Sequence, residues 1–151
     1  MAEYVYNPVQ VVLPNQPVIL DDSIPCNRGY VYHRNQSGNL ILRGIVNCPT
    51  SCFARYQVTF NGNIAVPTDG TVGAIAIALA LDGEPIQTSK AIVTPAAVDE
   101  YFNVTSTAII TVPKGCCFSV SVENVSEGAT AADTPTAINV QNANLVVSRI
   151  A

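Results

Sequence analysis

The sequence predicts an all-β domain, a sandwich or barrel of short strands, and three observations carry that expectation. Residues 53–64, FARYQVTFNGNI, alternate strictly, with Ala54, Tyr56, Val58 and Phe60 on one side and Arg55, Gln57 and Thr59 on the other. Period two, with aromatic and β-branched residues on the apolar side, is the pattern of a half-buried strand. Most other strong segments repeat this grammar between clusters of turn residues, and no long amphipathic helix occurs anywhere. Many short strands at turn-punctuated intervals pack as two layers around one core.

In chain order, EYVYNP at the start reads as an extended N-terminal arm, residues 1–8, ahead of a single domain over 9–151. Tyr4 and Tyr6 share a side, and Pro8 forces extension before it. Such an arm either frays or docks on a neighbour, since two tyrosines would otherwise face water. Residues 9–13 and 17–20 are short β runs split by Pro14-Asn15, which suits a sheet edge or an interrupted first strand. Asp21-Asp22-Ser23 reads as a turn and lacks the spaced ligand set of a calcium loop. Residues 29–33 and 40–46 are strands around the turn cluster 35–39, with Gly44 hinting at a bulge. Asn61-Gly62 is expected to close the strand that begins at Phe53.

Residues 72–81 have two apolar faces: Ile75, Ile77, Leu79 and Leu81 on one, Ala74, Ala76, Ala78 and Ala80 on the other. Gly73 and the hairpin-type Asp82-Gly83 favour a strand over a helix. Such a strand must be covered on both sides. The large residues suit the core, and the smooth alanine face suits a close subunit contact or a covering segment. Beyond it come a weak strand over 84–92, a loop or single helical turn over 93–99, strands over 101–104 and 107–112, and a turn at Pro113-Lys114-Gly115. Residues 116–123 alternate again, 126–137 form the longest exposed loop, and 138–140 and 144–150 close the chain as β. The expected core is Tyr56, Val58, Phe60, Ile77, Leu79, Phe118 and Val120.

The 151 residues are 48% hydrophobic and only 12% charged, with a formal net charge of −4. That charged share is about half the usual ~25%. Surface this poor in charge is expected to be covered by another subunit. With Lys90 and Lys114 the only lysines and no basic stripe, no nucleic-acid partner is expected. Residues 72–81 are too short to span a bilayer, no charged amphipathic helix suggests a membrane surface, and the start lacks a signal-peptide pattern. That start implies a protein made in the cytosol, or one released by lysis or a specialised exporter.

Catalytic and cofactor sites are not expected. His33 is the sole histidine, so no Ser-His-Asp or Cys-His site follows from spacing, and a strand-end or surface position is expected. Of the five cysteines, Cys48 and Cys52 with Cys116 and Cys117 have a spacing that zinc permits, but adjacent cysteines on a strand face opposite ways. Free thiols come first, a disulfide second and a metal third. Cys52 and Cys116 share the phase of core residues at the starts of two strands, so they are expected to be neighbours inside the sandwich.

Four patterns in order, Y-x-V-x-F at Tyr56, Val58 and Phe60, ALALDGEPI over 78–86, VPKGCCFSVSVEN over 112–124 and NANLVVSRI over 142–150, resemble the jelly roll of tumour necrosis factor and the complement globular heads. The whole chain is similar to small trimeric jelly-roll proteins of tailed phages of gut bacteria, of the head-fibre or capsid-decoration kind, although no Gly-X-Y tract precedes the domain. The resemblance implies about ten strands, a homotrimer and a place on the capsid surface of a virion assembled in the bacterial cytoplasm. The alanine face would then lie near the three-fold axis or under a covering segment, and Tyr4 and Tyr6 would anchor the trimer to the capsid. Two other readings share the fold: a tail module binding a host receptor or glycan through the 126–137 loop or subunit grooves, and a bacterial surface or spore-coat protein.

Overall fold

The computed structural model describes residues 1–127 and 135–151. Among these, alternation builds twelve strands: β1 (Ala2–Tyr6), β2 (Gln10–Val12), β3 (Asp21–Ile24), β4 (Val31–His33), β5 (Leu40–Arg43), β6 (Phe53–Ala65), β7 (Ile75–Leu81), β8 (Glu84–Pro85), β9 (Ala91–Val93), β10 (Phe102–Pro113), β11 (Cys117–Asn124) and β12 (Ile138–Arg149). They form two six-stranded sheets. The first runs β10-β6-β12-β1-β3, with β2 also on β12; the second runs β4-β5-β11-β7-β8, with β9 also on β7. Their inner faces meet over one core in which Tyr4, Tyr56, Phe60, Leu42, Ile77 and Leu145 are fully buried. Of the expected core, only Phe118 is partly open, at the start of its strand. Residues 75–81 are strand, and Asp82 (φ 51°) with Gly83 (φ 82°) makes the tight hairpin into β8.

Long-range pairing overrides several local turn signals. Asn61-Gly62 does not end β6, which runs on to Ala65 between β10 and β12. Gly62 serves close packing instead, because a Cβ there would lie 2.8 Å from Cζ of Phe60. The runs at 101–104 and 107–112 are one strand, β10, pairing with β6 from Phe102 to Pro113. The two closing runs are likewise one strand, β12, with a register shift between Gln141 and Asn144 where Asn142 takes φ 54°. Gly44 follows β5 without bulging it: its N–H donates to Cys116 O (2.8 Å), and a Cβ would run into the Pro113 carbonyl. Asp21-Asp22-Ser23 is not a turn but most of β3.

The N-terminal arm is corrected outright. It is β1, paired with β12 on one side and β3 on the other. Alternation in AEYVY turns Ala2 and Tyr4 inward, leaving Tyr4 1% exposed. Burying a large side chain is worth about 1.5–3 kcal/mol, and the chain's own core takes that gain while the sheet pairs the backbone. Tyr4 is therefore no capsid anchor, and Tyr6 packs partly buried against the same core.

The alanine face is corrected as an interface between subunits. Ala74 precedes β7 and is exposed, whereas Ala76, Ala78 and Ala80 are buried by the chain itself. Gln87, Val125 and Pro135 share a small cavity with Ala78, and Lys90 Nζ meets Glu127 Oε1 across it at 2.8 Å. The covering-segment alternative is the one realised. Most of the 126–137 loop, residues 128–134, lies outside the described residues.

Candidate functional site

The outward face of the first sheet is open to a partner. Its middle is made by β10, β6 and β12, the three longest strands, of 12, 13 and 12 residues. Inward Tyr56, Val58, Phe60 and Ile64 alternate with outward Gln57, Thr59, Asn61 and Asn63 on β6. Register sets Thr107, Thr59 and Val146 in one row across β10, β6 and β12, Thr105, Asn61 and Asn144 in another, and Ile109, Gln57 and Ser148 in a third. These three strands carry only two charged side chains, Arg55 and Arg149, both at one end of the sheet. A solvent-facing sheet usually carries charge, and a marginal strand such as β10 usually carries lysine against edge-to-edge association; β10 has no charge at all.

Several of the polar side chains on this face already satisfy one another. Thr59 Oγ1 and Thr107 Oγ1 are 3.0 Å apart, Thr105 Oγ1 donates to Asn61 Oδ1 (3.0 Å), and Asn103 Nδ2 donates to Asn63 Oδ1 (3.1 Å). Asn144 Nδ2 donates to the Glu3 carboxylate. Paired polar groups can be covered without the penalty of an orphaned donor, unlike charges. Ile109, 65% exposed, is the large apolar residue in their midst.

His33 is not at the surface. Its side chain is 1% exposed, with Nδ1 bonded to the Asp22 carboxylate and Nε2 2.9 Å from Ser37 O. Its ring also meets Tyr4, centroid to centroid 4.6 Å. Cys26 lines the same 130 Å³ cavity as His33 and Asp22. A Cys-His-Asp nucleophile needs an imidazole nitrogen on the sulfur, and here both nitrogens are taken, so the ring fastens β4 to β3 and to the following turn. Burial, and next the Asp22 carboxylate, push the Tyr4 hydroxyl well above the ordinary tyrosine range.

The sequence matches no family model and no curated protein. Among solved structures, the globular domain of a zebrafish complement 1qA protein superposes with a TM-score of 0.63 at 14% identity, covering 100% of this chain and 98% of that one. The chain has a C1q-like jelly-roll fold. The C-terminal domain of EclA, a sugar-binding protein, matches at a TM-score of 0.42 (14% identity, 95% and 79% covered). The xylan-binding CBM22-1 domain of Paenibacillus barcinonensis Xyn10C matches at 0.35 (10% identity, 99% and 88% covered).

Within this C1q-like jelly roll Cys52 and Cys116 are exposed free thiols, not core neighbours. Their core-facing phase continues past the ends of the strands, where no opposite sheet remains to bury them. Both sit at the same end of the sandwich, where Cys52 O accepts from Lys114 N (2.8 Å) and Gly44 N donates to Cys116 O. Cys48 is held below the ordinary thiol value, first by the Thr50 hydroxyl 3.1 Å away. Among the described residues no cluster of three or more His, Cys, Asp or Glu is placed to hold a metal. Sequence reasoning missed the outward face of the first sheet, although the absence of charge from residues 102–113 was a readable sign of it.

Proposed function

We propose that the chain is a non-enzymatic structural protein that self-associates through the outward face of β10, β6 and β12. The charge-poor, partly self-hydrogen-bonded face is the observation that carries this reading. Covering the middle of the face, with Asn61, Asn63 and Asn103 already paired to one another and to Thr105, buries no charge on β10 and brings Ile109 out of water. A homotrimer is the assembly implied by the resemblance to tumour necrosis factor and the complement globular heads. Placement on a phage capsid, as decoration or head fibre, follows from the likeness of the whole chain to such virion proteins, and the shortage of charge suits a protein covered on more than one side. Attachment would use surfaces other than the buried Tyr4. Multi-angle light scattering gives the first test, with three chain masses expected and one chain mass counting against the reading. Electron microscopy of purified particles, with antibody to this chain, gives the second. Label on the capsid supports decoration, label on the tail supports the receptor- or glycan-binding alternative, and unlabelled particles oppose both.

A further inference from the structure

Where β12 runs out, the turn between β3 and β4 closes over an open cavity of about 480 Å³ lined by Cys26, Asn27, Arg28, Tyr30, Arg149 and Ile150, with Met1 and Ala151 at its edge. No acidic side chain lines it among the described residues. In a chain of net charge −4 with five arginines, two guanidinium groups stand in one wall, and a third, that of Arg43, donates to Gly29 O at 3.4 Å. Arg149 is held in place: its Cζ lies 4.3 Å above the Tyr30 ring centroid, and Nε donates to Ala151 O (3.1 Å). Its Nη1 is buried and meets no acceptor among the described residues. Gly29, at φ 69°, bends the turn that brings Cys26 and Arg28 to the cavity. Burial pushes the Cys26 thiol up, but the nearby backbone N–H groups of Arg28, Val31 and Tyr30, with the N-terminal charge, hold it below its ordinary value.

We infer that this cavity binds a monosaccharide-sized organic anion, a sugar bearing a carboxylate or a phosphate. Arg28 and Arg149 take the acid group through their planar forks, which match either anion, while Tyr30 and Ile150 supply the apolar wall. Small-molecule pockets span roughly 300–1,000 Å³, so the volume suits a sugar rather than a bare ion. Binding here does not depend on self-association.

Cys26 reports on occupancy, and the other four cysteines serve as internal controls. Alkylation by iodoacetamide, followed residue by residue by mass spectrometry, is run with glucuronate, glucose 6-phosphate, glucose or inorganic phosphate present. Either acid sugar is expected to slow modification of Cys26 while Cys48, Cys52, Cys116 and Cys117 react unchanged, and the one that does so identifies the acid group. Arg28→Gln, at an exposed position that leaves the fold alone, should weaken protection by about tenfold or more, the share of one charge-assisted hydrogen bond. No selective protection, equal protection by glucose, inorganic phosphate matching the sugar phosphate, or undiminished protection in Arg28→Gln would each overturn the inference.

Discussion

Ile109→Glu separates folding from assembly. Ile109 projects from β10 beside Gln57 and is 65% exposed in the single chain. Its replacement costs the folded monomer little, since open surface positions change stability by about ±0.5 kcal/mol and strand preference by up to ~1 kcal/mol. Assembly is different. Fully burying an isoleucine is worth about 1.5–3 kcal/mol, and with 65% of it still open, covering the remainder contributes about 1–2 kcal/mol per subunit. Three equivalent copies sum to about 3–6 kcal/mol. Glutamate forfeits that and asks each subunit to desolvate a carboxylate, at several kcal/mol per ion. Even the lower bound of ~3 kcal/mol lowers the assembly constant more than about hundredfold. Sedimentation equilibrium across the micromolar range is expected to show a trimer for the unmodified chain and a monomer for Ile109→Glu, with a melting temperature close to the parent's. A variant that keeps the trimer mass would refute the assignment of this face.

Ala78→Glu should do the opposite: Ala78 is 1% exposed within its own chain, so a carboxylate there costs several kcal/mol and should depress the melting temperature; an unchanged melt rules out the cover described for β7. Tyr4→Ala should cost about 3–5 kcal/mol in urea unfolding, and a loss under ~1 kcal/mol would mean that β1 is dispensable after all. Because the folded-state pKa of Tyr4 is raised from its ordinary 10.0, its neutral form stabilises the fold fully below that pH, and the stability is lost as pH climbs toward the raised value. Tyr4→Phe should accordingly flatten the alkaline fall in melting temperature, and an identical slope would discount the burial. Thr50→Val, which removes the hydroxyl beside the Cys48 sulfur, should slow alkylation of Cys48 near neutral pH; an unaltered rate would mean that the hydroxyl does not favour the thiolate.

By itself the sequence determined what depends on nearest neighbours along the chain. Alternation at Tyr56, Val58 and Phe60 assigns strand and inward face together, because a period of two there leaves one apolar side, and in the two-sided run at Ile77 and Leu79 the larger side chains mark the core face. Asp82-Gly83 likewise made its own hairpin, since only residues tolerant of positive φ close so short a turn. Tertiary structure decided whatever depended on a partner distant in sequence. Asn61-Gly62 has a turn's composition, yet β10 and β12 pair with it on both sides and hold it extended. Residues 1–8 have an arm's composition, yet β12 and β3 flank them and draw Tyr4 into the core. The alanines of β7 have the look of an interface, but segments near Gln87 and Val125 already lie beside them. Cys52 and Cys116 keep the core phase where there is no longer a core, because phase is a property of the strand and burial requires a facing sheet. The outward face and the arginine-lined cavity belong to this second class. Thr59 and Thr107 are 48 residues apart and meet only because β10 pairs with β6, and Arg28 and Arg149 come from distant parts of the chain to one cavity only where the turn between β3 and β4 folds beside the end of β12.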